Sequence, residues 1–297
     1  MLLMALASPE DFDILGITTV AGNVPLQLTE RNARLVCDLA KRADVPVYAG
    51  CDRPLARELV TAEFVHGQSG IDGMEIHPPQ TPLQDRHAVD FIIETLSAPA
   101  GDPVTLVLTG PLTNLAAAIA KQPAIVPRIA EIVLMGGAMR EGGNTTPSAE
   151  FNIYVDPQAA QAVIQCGRPI SVAGLDVTHQ VLVTQDCLDR LRALDSRAAA
   201  ATVGMLEFFN RYDREKYHSE GAPLHDPCTI AYLLQPSLFT GKLCNLEIET
   251  ESALTLGHTA VDFWQVTGRP ANVHWLHEVD ADGFFDLLID RLSRLPD

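Results

Sequence analysis

The stretch V-T-L-V-L-T-G-P-L-T-N-L-A-A-A-I-A-K at residues 104–121 decides the fold of this 297-residue chain. Its first five residues are apolar or β-branched, which is typical of a buried strand. Apolar residues then recur at helical spacing over 113–121, and a second strand is predicted at 131–135. A strand, a helix and another strand in this order predict parallel strands joined by a right-handed crossover.

The same alternation extends to both sides of this unit. Flanking strands are predicted at 13–20, 45–49 and 170–173. Flanking helices are predicted at 29–42, 85–96 and 156–166. Beyond residue 186, helices are predicted at 186–194, 196–212, from 226 and at 282–292, with strands at 243–250, 259–263 and 272–279. We predict an α/β fold, an open, doubly wound, mostly parallel sheet flanked by helices, with a C-terminal region of helices and strands. No linker rich in Ser, Gly or Pro divides the chain, so one domain over 1–297 is predicted.

Composition limits the classes of function. The chain has 38 Asp and Glu against 21 Lys and Arg, a net charge of −17, and 47% hydrophobic residues. An acidic surface repels polyanions, so neither nucleic acid nor an anionic membrane is expected as a partner. A small-molecule substrate or a cation bound by oxygen atoms fits this composition better.

Cysteine usage and hydropathy predict a cytoplasmic protein. The six cysteines form no C-x-x-C pair and no Cys/His pair at zinc spacing, so they are interpreted as reduced thiols. No apolar run approaches the roughly 20 residues that a membrane span needs. The first cationic residue is Arg31, so the N-terminal segment lacks the basic region of a signal peptide.

Polar residues follow several of the predicted strands. In open α/β sheets ligands bind beyond the carboxyl ends of the strands, so these loops are the first candidates for a site. They contain Asn23, Thr109, Asn114, Asp176, Thr178 and His179. Taken singly, each is better explained as an ordinary turn residue or helix cap.

Three loops deserve a functional hypothesis beside the structural one. In G-N-T-T-P-S-A-E-F-N (143–152), Asn144, Glu150 and Asn152 suit a polyhydroxylated ligand, although a solvated loop is an equal alternative. In H-D-P-C (225–228), Asp226 is either a helix cap ahead of a proline or a metal ligand beside a general acid, His225. His66 lies in a glycine-flanked loop, where a lone histidine is more often merely exposed.

Other catalytic patterns are missing from the sequence. It contains neither a G-x-S-x-G nucleophile elbow nor a G-x-x-x-x-G-K-[ST] phosphate loop. The glycines at 136–137 and 142–143 follow a strand but do not meet G-x-G-x-x-G. A nicotinamide-dependent enzyme is therefore a poor second hypothesis.

Taken together, these segments resemble the inosine–uridine type of nucleoside hydrolase, a family that cleaves the N-glycosidic bond of ribonucleosides with a calcium ion. The matching stretches run through the whole chain: I-T-T-V-A-G-N (17–23), A-G-C-D-R-P-L (49–55), H-G-Q-S-G (66–70), L-T-G-P-L-T-N (108–114), V-L-M-G-G (133–137), A-E-F-N (149–152), G-L-D-V-T-H (174–179) and H-D-P (225–227).

The resemblance implies a role for each candidate residue. Asp226 would bind calcium through its side chain and Thr109 through its backbone carbonyl. Four residues would contact ribose: Asn23, Asn144, Glu150 and Asn152. His66 and His225 would line the base side, with His225 protonating the departing base, and a homodimer or homotetramer is expected.

The first part of the family pattern is not found in this sequence ahead of the helix-like segment at residues 1–7. The family opens with a strand and a D-x-D-P-G-x-D-D loop that carries most calcium ligands and the aspartate that activates water. We expect either an active hydrolase whose coding start lies further upstream, which we favour, or a short form that binds ribosides without turnover. The 297 residues alone are expected to bind calcium weakly. The pattern does not fix a preference for purines or pyrimidines.

Overall fold

Two sheets form the framework of the computed structural model, which describes residues 1–98, 101–217 and 220–296. The smaller sheet is parallel and consists of β1 (Ile17–Thr19), β2 (Val47–Ala49) and β3 (Leu83–Gln84), in that order. The larger sheet consists of β4 (Val104–Leu108), β5 (Ile129–Met135), β6 (Ile170–Ala173), β7 (Phe239–Ile248), β8 (Thr259–Asp262) and β9 (Val273–Val279). Its spatial order is β4-β5-β6-β9-β7-β8.

The larger sheet is mostly parallel. β4, β5, β6 and β9 run in the same direction, while β7 is antiparallel to β9 and β8 is antiparallel to β7. Leu134 on β5 is opposite Val172 on β6, which is opposite Trp275 on β9. All three side chains are at most 1% exposed, so the centre of the sheet is buried on both faces. The predicted α/β class with a mostly parallel sheet is confirmed.

Helices surround the sheets. The first six are α1 (Leu2–Leu6), α2 (Leu26–Leu39), α3 (Glu63–His66), α4 (Ala88–Ser97), α5 (Thr113–Lys121) and α6 (Phe151–Val155). The remainder are α7 (Pro157–Ile164), α8 (Leu175–Thr178), α9 (Gln185–Arg192), α10 (Arg197–Tyr217), α11 (Pro227–Leu234) and α12 (Ala281–Leu292). None of these described helices is long and apolar enough to cross a lipid bilayer.

The helices bury apolar residues in two main clusters. One contains residues of α1, α9, α10, α11 and α12, with Phe284 fully buried. The other contains residues of α4, α5 and α7 packed with strand residues and Trp275. Burial of this apolar surface on both sides of the sheet is the main driving force for the layered architecture.

Asn114 links the two sheets near the carboxyl ends of their strands. Its Nδ2 donates to the Thr19 carbonyl at 2.9 Å, and its Oδ1 accepts from the Cys51 backbone N–H at 2.8 Å. The chain passes so close at Gly50 that an added Cβ would lie 2.3 Å from Asn114 Oδ1. The carboxyl ends of β1, β2 and β4 are thereby held together.

Several element boundaries differ from those predicted. α2 begins at Leu26 rather than at residue 29, because Pro25 occupies its N-cap and the Thr29 hydroxyl donates back to the Leu26 carbonyl at 3.0 Å. Residues 151–155 form a short helix, α6, that the sequence did not predict. Glu150 caps α6, and Asp156 ends it and caps α7.

Candidate active site

One cavity of about 870 Å³ is bordered by all eight residues to which the family resemblance assigns a role, whereas Asn114 and Asp176 lie outside it. It lies beyond the carboxyl ends of the parallel strands, as expected for this fold. The selected residues that border it are Asn23, His66, Thr109, Asn144, Glu150, Asn152, His225 and Asp226. The structure brings these residues together from five separate segments of the chain.

Glu150 is a buried carboxylate held by backbone donors. Its Oε1 accepts from the Asn152 N–H at 2.9 Å, and its Oε2 accepts from the Gly137 N–H at 3.0 Å and from the Ile153 N–H at 3.2 Å. The side chain is 2% exposed, and burial raises the pKa of Glu150 to about 7 against these hydrogen bonds, which lower it. This end of the 143–152 loop is not solvated, so the solvated-loop alternative is wrong for Glu150.

Two asparagines lie beside this carboxylate. Asn152 donates from Nδ2 to the Met135 carbonyl at 3.1 Å, and its Oδ1 has no hydrogen-bond partner among the described residues. Asn144 accepts at Oδ1 from the Phe151 N–H at 2.9 Å, which leaves its Nδ2 free among those residues. The polar side of the cavity therefore offers a carboxylate, an amide acceptor and an amide donor.

Asp226 occupies the N-cap position of α11 but does not cap the helix. Its backbone is helical (φ −58°, ψ −38°), and its side chain makes no capping hydrogen bond. Its backbone carbonyl instead accepts from the Thr229 hydroxyl at 2.7 Å. The capping alternative is therefore wrong, and the carboxylate borders the cavity, where burial raises its pKa.

His225 is oriented by Thr178, the last residue of α8. The Thr178 Oγ1 lies 2.8 Å from the His225 Nδ1. Burial, together with the neighbouring His179 and His66, lowers the pKa of His225 to about 3. The imidazole is therefore neutral near pH 7, and when the hydroxyl donates to Nδ1 the remaining proton is on Nε2.

Four rings that contact one another also border the cavity, and we define them as the aromatic wall: His66, Phe209, His225 and His179. His66 ends α3 and stacks on Phe209, with ring centroids 5.4 Å apart and an interplanar angle of 12°. Phe209 meets His225 edge-on at 6.4 Å, and His179 lies 5.7 Å from His225. Burial lowers the pKa of His66 to about 4, so this ring is neutral near pH 7. Because the ring is stacked and half-buried, the alternative of a merely exposed loop histidine is wrong.

The sequence did not predict roles for Phe209, Thr178, His179 or Glu141. Phe209 lies within α10, where an apolar side chain carries no functional signal. Thr178 and His179 were noted as loop residues, and the T-H pair that ends G-L-D-V-T-H is the signal that could have found them. Asp176 instead supports the backbone, because its carboxylate accepts from the N–H groups of Met139 and Arg140 at 2.7 and 2.6 Å.

The residues present match a calcium ion in donor type but not in number. Asp226 and Thr109 both border the cavity and supply a carboxylate and a carbonyl, which are oxygen ligands that calcium prefers. Across residues 1–98, 101–217 and 220–296, no group of three or more His, Cys, Asp or Glu side chains is arranged to hold a metal ion. Calcium takes six to eight oxygens, so these residues provide only part of a coordination shell.

The fold and cavity define a class of protein. An α/β sheet with a deep cavity at the carboxyl ends of its strands, polar on one side and aromatic on the other, is the arrangement of an enzyme that acts on small molecules. More specifically, the chain belongs to the inosine-uridine preferring nucleoside hydrolase family, whose sequence model matches residues 1–286. It is thus an N-glycosidase-family enzyme, and the resemblance found in its motifs is confirmed.

Similar proteins extend over nearly the whole chain. It is 48% identical over 294 residues to an uncharacterized protein of Schizosaccharomyces pombe, with 99% of this chain and 94% of that protein covered. It is 46% identical to the pyrimidine-specific ribonucleoside hydrolase RihA of Photobacterium profundum, with 98% and 94% covered. The solved structure of a purine-preferring ribonucleoside hydrolase from Gardnerella vaginalis superimposes with a TM-score of 0.91 at 34% identity, with 99% and 94% covered.

Proposed function

We propose that this chain hydrolyses the N-glycosidic bond of ribonucleosides to free base and ribose. The observation that carries the proposal is the two-sided cavity, with the buried Glu150 and Asn152 on one side and the aromatic wall on the other. A ribonucleoside has the same two halves, a polyhydroxylated sugar and a flat aromatic base. RihA relatives at about 46% identity are named for this activity.

The polar side is suited to bind and activate the ribose. Glu150, Asn144, Asn152 and Asn23 supply acceptors and donors for its hydroxyl groups. Cleavage of the bond to the base develops positive, oxocarbenium-like charge on the sugar. A buried carboxylate and amide oxygens stabilise that charge in a site of low dielectric constant.

The aromatic wall is suited to receive the leaving base. His66 and Phe209 provide a stacked surface, and His225 presents a ring nitrogen. Because burial keeps His225 neutral near pH 7, we expect its Nε2–H to donate a hydrogen bond to the base as negative charge develops there. A complete proton is transferred only from the imidazolium form of His225.

We further propose calcium as the cofactor, with Asp226 and Thr109 as part of its coordination shell. Bound calcium would lower the pKa of a coordinated water and make it a nucleophile near neutral pH. The test is calorimetric calcium titration of the wild type and of Asp226→Asn. Calcium binding that is equally strong in both would remove Asp226 from the proposed ligand set.

Pyrimidine ribonucleosides are the substrates that we propose, and a homodimer or homotetramer is the assembly. The relatives named pyrimidine-specific are 46–47% identical over 98% of the chain, whereas the purine-preferring structure is 34% identical. The assembly rests on the family resemblance alone, and light scattering after gel filtration tests it.

The direct test is to incubate the chain with uridine, cytidine, inosine and adenosine, with and without calcium, and to quantify free base and ribose. We expect equal amounts of both products, formed fastest from uridine or cytidine. Binding of a nucleoside by calorimetry without any released base would instead support the alternative, a protein that binds ribosides without turnover.

A further inference from the structure

A histidine–glutamate pair lies at the edge of the aromatic wall. His179 Nδ1 is 3.0 Å from Glu141 Oε2. Both residues border the cavity, with their side chains 32% and 45% exposed. The pair joins two segments that follow neighbouring strands of the sheet, β5 for Glu141 and β6 for His179.

The pair fixes which nitrogen of His179 is available to a ligand. A carboxylate accepts hydrogen bonds, so Nδ1 carries the proton in this contact. Nε2 has no hydrogen-bond partner among the described residues, and in the neutral ring it is an acceptor. The ring is therefore oriented, with one nitrogen still to be satisfied.

The position of this ring is that of a base contact. His179 is 5.7 Å from His225, centroid to centroid, with the ring planes tilted by 54°. The adjacent residue, Thr178, holds His225 at 2.8 Å, so the end of α8 carries one cavity histidine, His179, and orients the other, His225. The pair therefore lies beside the ring that the proposed function places against the base.

We propose that His179, oriented by Glu141, accepts a hydrogen bond at Nε2 from an N–H group on the edge of the leaving base, and that it is a specificity-determining residue. The ligand class is a base with a ring or amino N–H on the edge remote from the sugar. The inference rests on the proposed function of the cavity. It adds a base contact that neither the sequence nor the relatives' names indicate.

The experiment compares His179→Ala, His179→Asn and Glu141→Gln with the wild type. Substrates are uridine, cytidine, inosine and p-nitrophenyl riboside, whose leaving group has no N–H. The matched control is Glu278→Gln, because Glu278 pairs with His277 at 4.0 Å and neither of these residues borders the cavity. Calorimetric binding of free uracil supplies a second readout that does not depend on turnover.

We expect His179→Ala to lower kcat/KM on the nucleosides by about tenfold, the loss typical of one hydrogen bond to a buried group. The ratios between bases should change, p-nitrophenyl riboside should lose less than about twofold, and Glu141→Gln should have a smaller effect in the same direction. His179→Asn, which keeps an acceptor, should recover part of the loss.

Three results would overturn the inference: no loss on nucleosides, an equal loss on p-nitrophenyl riboside, or unchanged ratios between bases. If the wild type releases base from no nucleoside, the proposed function fails. In that case weaker uracil binding by His179→Ala still supports the base contact, and unchanged uracil binding refutes it.

Discussion

Asp226 lies at a position where an aspartate usually stabilises a helix, but its side chain does not do so here. An aspartate ahead of a proline at a helix start normally caps the helix, yet here the side chain makes no capping bond and borders the cavity. Glu150 differs, since it caps α6 and borders the cavity with the same carboxylate. Residue-scale predictions therefore have to separate a stability effect from an activity effect.

His225→Ala tests the contact with the leaving base. If the Nε2–H stabilises the departing base, the variant should cleave uridine about 10²–10³-fold more slowly, the loss typical of removing one hydrogen-bond donor to a developing negative charge. p-Nitrophenyl riboside, whose leaving group needs no proton, should lose far less. His77→Ala, outside the cavity, is the control; equal losses on both substrates would make His225 a packing residue.

Glu150→Gln tests the raised pKa of the buried carboxyl group. In the unfolded chain Glu150 titrates near 4.5, and in the folded chain near 7. Between these values the folded state binds more protons, so the Glu150 contribution to the free energy of unfolding falls as pH rises. Relative to Glu150→Gln, the wild type should lose about 2–3 kcal/mol from pH 5 to pH 8.

The measurement for Glu150 is urea denaturation of both proteins at several pH values. Glu251→Gln, a substitution of an exposed glutamate, is the matched control and should follow the wild-type profile. A constant difference between wild type and Glu150→Gln across this range would show that the pKa of Glu150 is not raised.

At the scale of elements, Asp156 connects α5, α7 and the loop after β2. Its Oδ2 accepts from the Thr113 hydroxyl at 2.7 Å and from the Leu55 N–H at 2.9 Å, and its Oδ1 accepts from the Ala159 N–H at 3.1 Å. The residue is fully buried. One carboxylate thus fixes the start of α7 against two other segments near the site.

Asp156→Ala should lower the free energy of unfolding by about 3 kcal/mol or more, because three donors lose their acceptor and at least two of them are buried. Asp186→Ala, at an exposed acid in the first turn of α9, should change it by less than about 0.5 kcal/mol. Urea denaturation measures both, and similar small losses in the two variants would contradict the assigned role of Asp156.

The elements also show what periodicity can predict. The strands at 104–108 and 170–173 and the helix at 113–121 have the predicted bounds. β6 is buried along its whole length, whereas β4, at the edge of the larger sheet, is only half-buried, with Thr105 exposed. The predicted strand at 13–20 is paired only over Ile17–Thr19, where β2 lies beside it. α6 is too short for a helical period to register in the sequence, and its cap, Glu150, was assigned only to ligand binding.

The sequence predicts which residues lie at the site better than it predicts how these residues are arranged. Every residue to which the family resemblance assigned a role borders the cavity, because the loops after parallel strands meet at one edge of the sheet. The sequence predicted only two members of the aromatic wall, His66 and His225. The other two were missed because Phe209 lies on a face of α10 and His179 at the end of α8. Contacts between distant segments decide their roles, and no local pattern contains that information.

At the scale of the whole molecule, the negative charge of the chain and of its cavity predicts that phosphorylated ligands bind more weakly than unphosphorylated ones. The chain carries a net charge of −17, and no Lys or Arg is among the described residues that border the cavity. The Glu150 carboxylate on the ribose side would repel a 5′-phosphate. We expect uridine to bind at least about tenfold more tightly than its 5′-monophosphate, as one uncompensated charge contact costs at least that much.

Calorimetric titration of both ligands at pH 8, where Glu150 is ionised, measures this difference. The difference in affinity between uridine and its 5′-monophosphate should be smaller for Glu150→Gln, because the repelling charge is removed while the size of the side chain is kept. Tighter binding of the monophosphate by the wild type would refute the assignment of the polar side to the ribose.

The central claim is that the cavity holds a ribonucleoside with its ribose on the polar side and its base on the aromatic wall. The most direct test is a crystal structure with pseudouridine, whose carbon–carbon glycosidic bond resists hydrolysis. We predict ribose hydroxyls within hydrogen-bond distance of Glu150 and Asn152, and the base between His66 and His225. A ligand bound in the reverse orientation, or outside the cavity, would contradict this account.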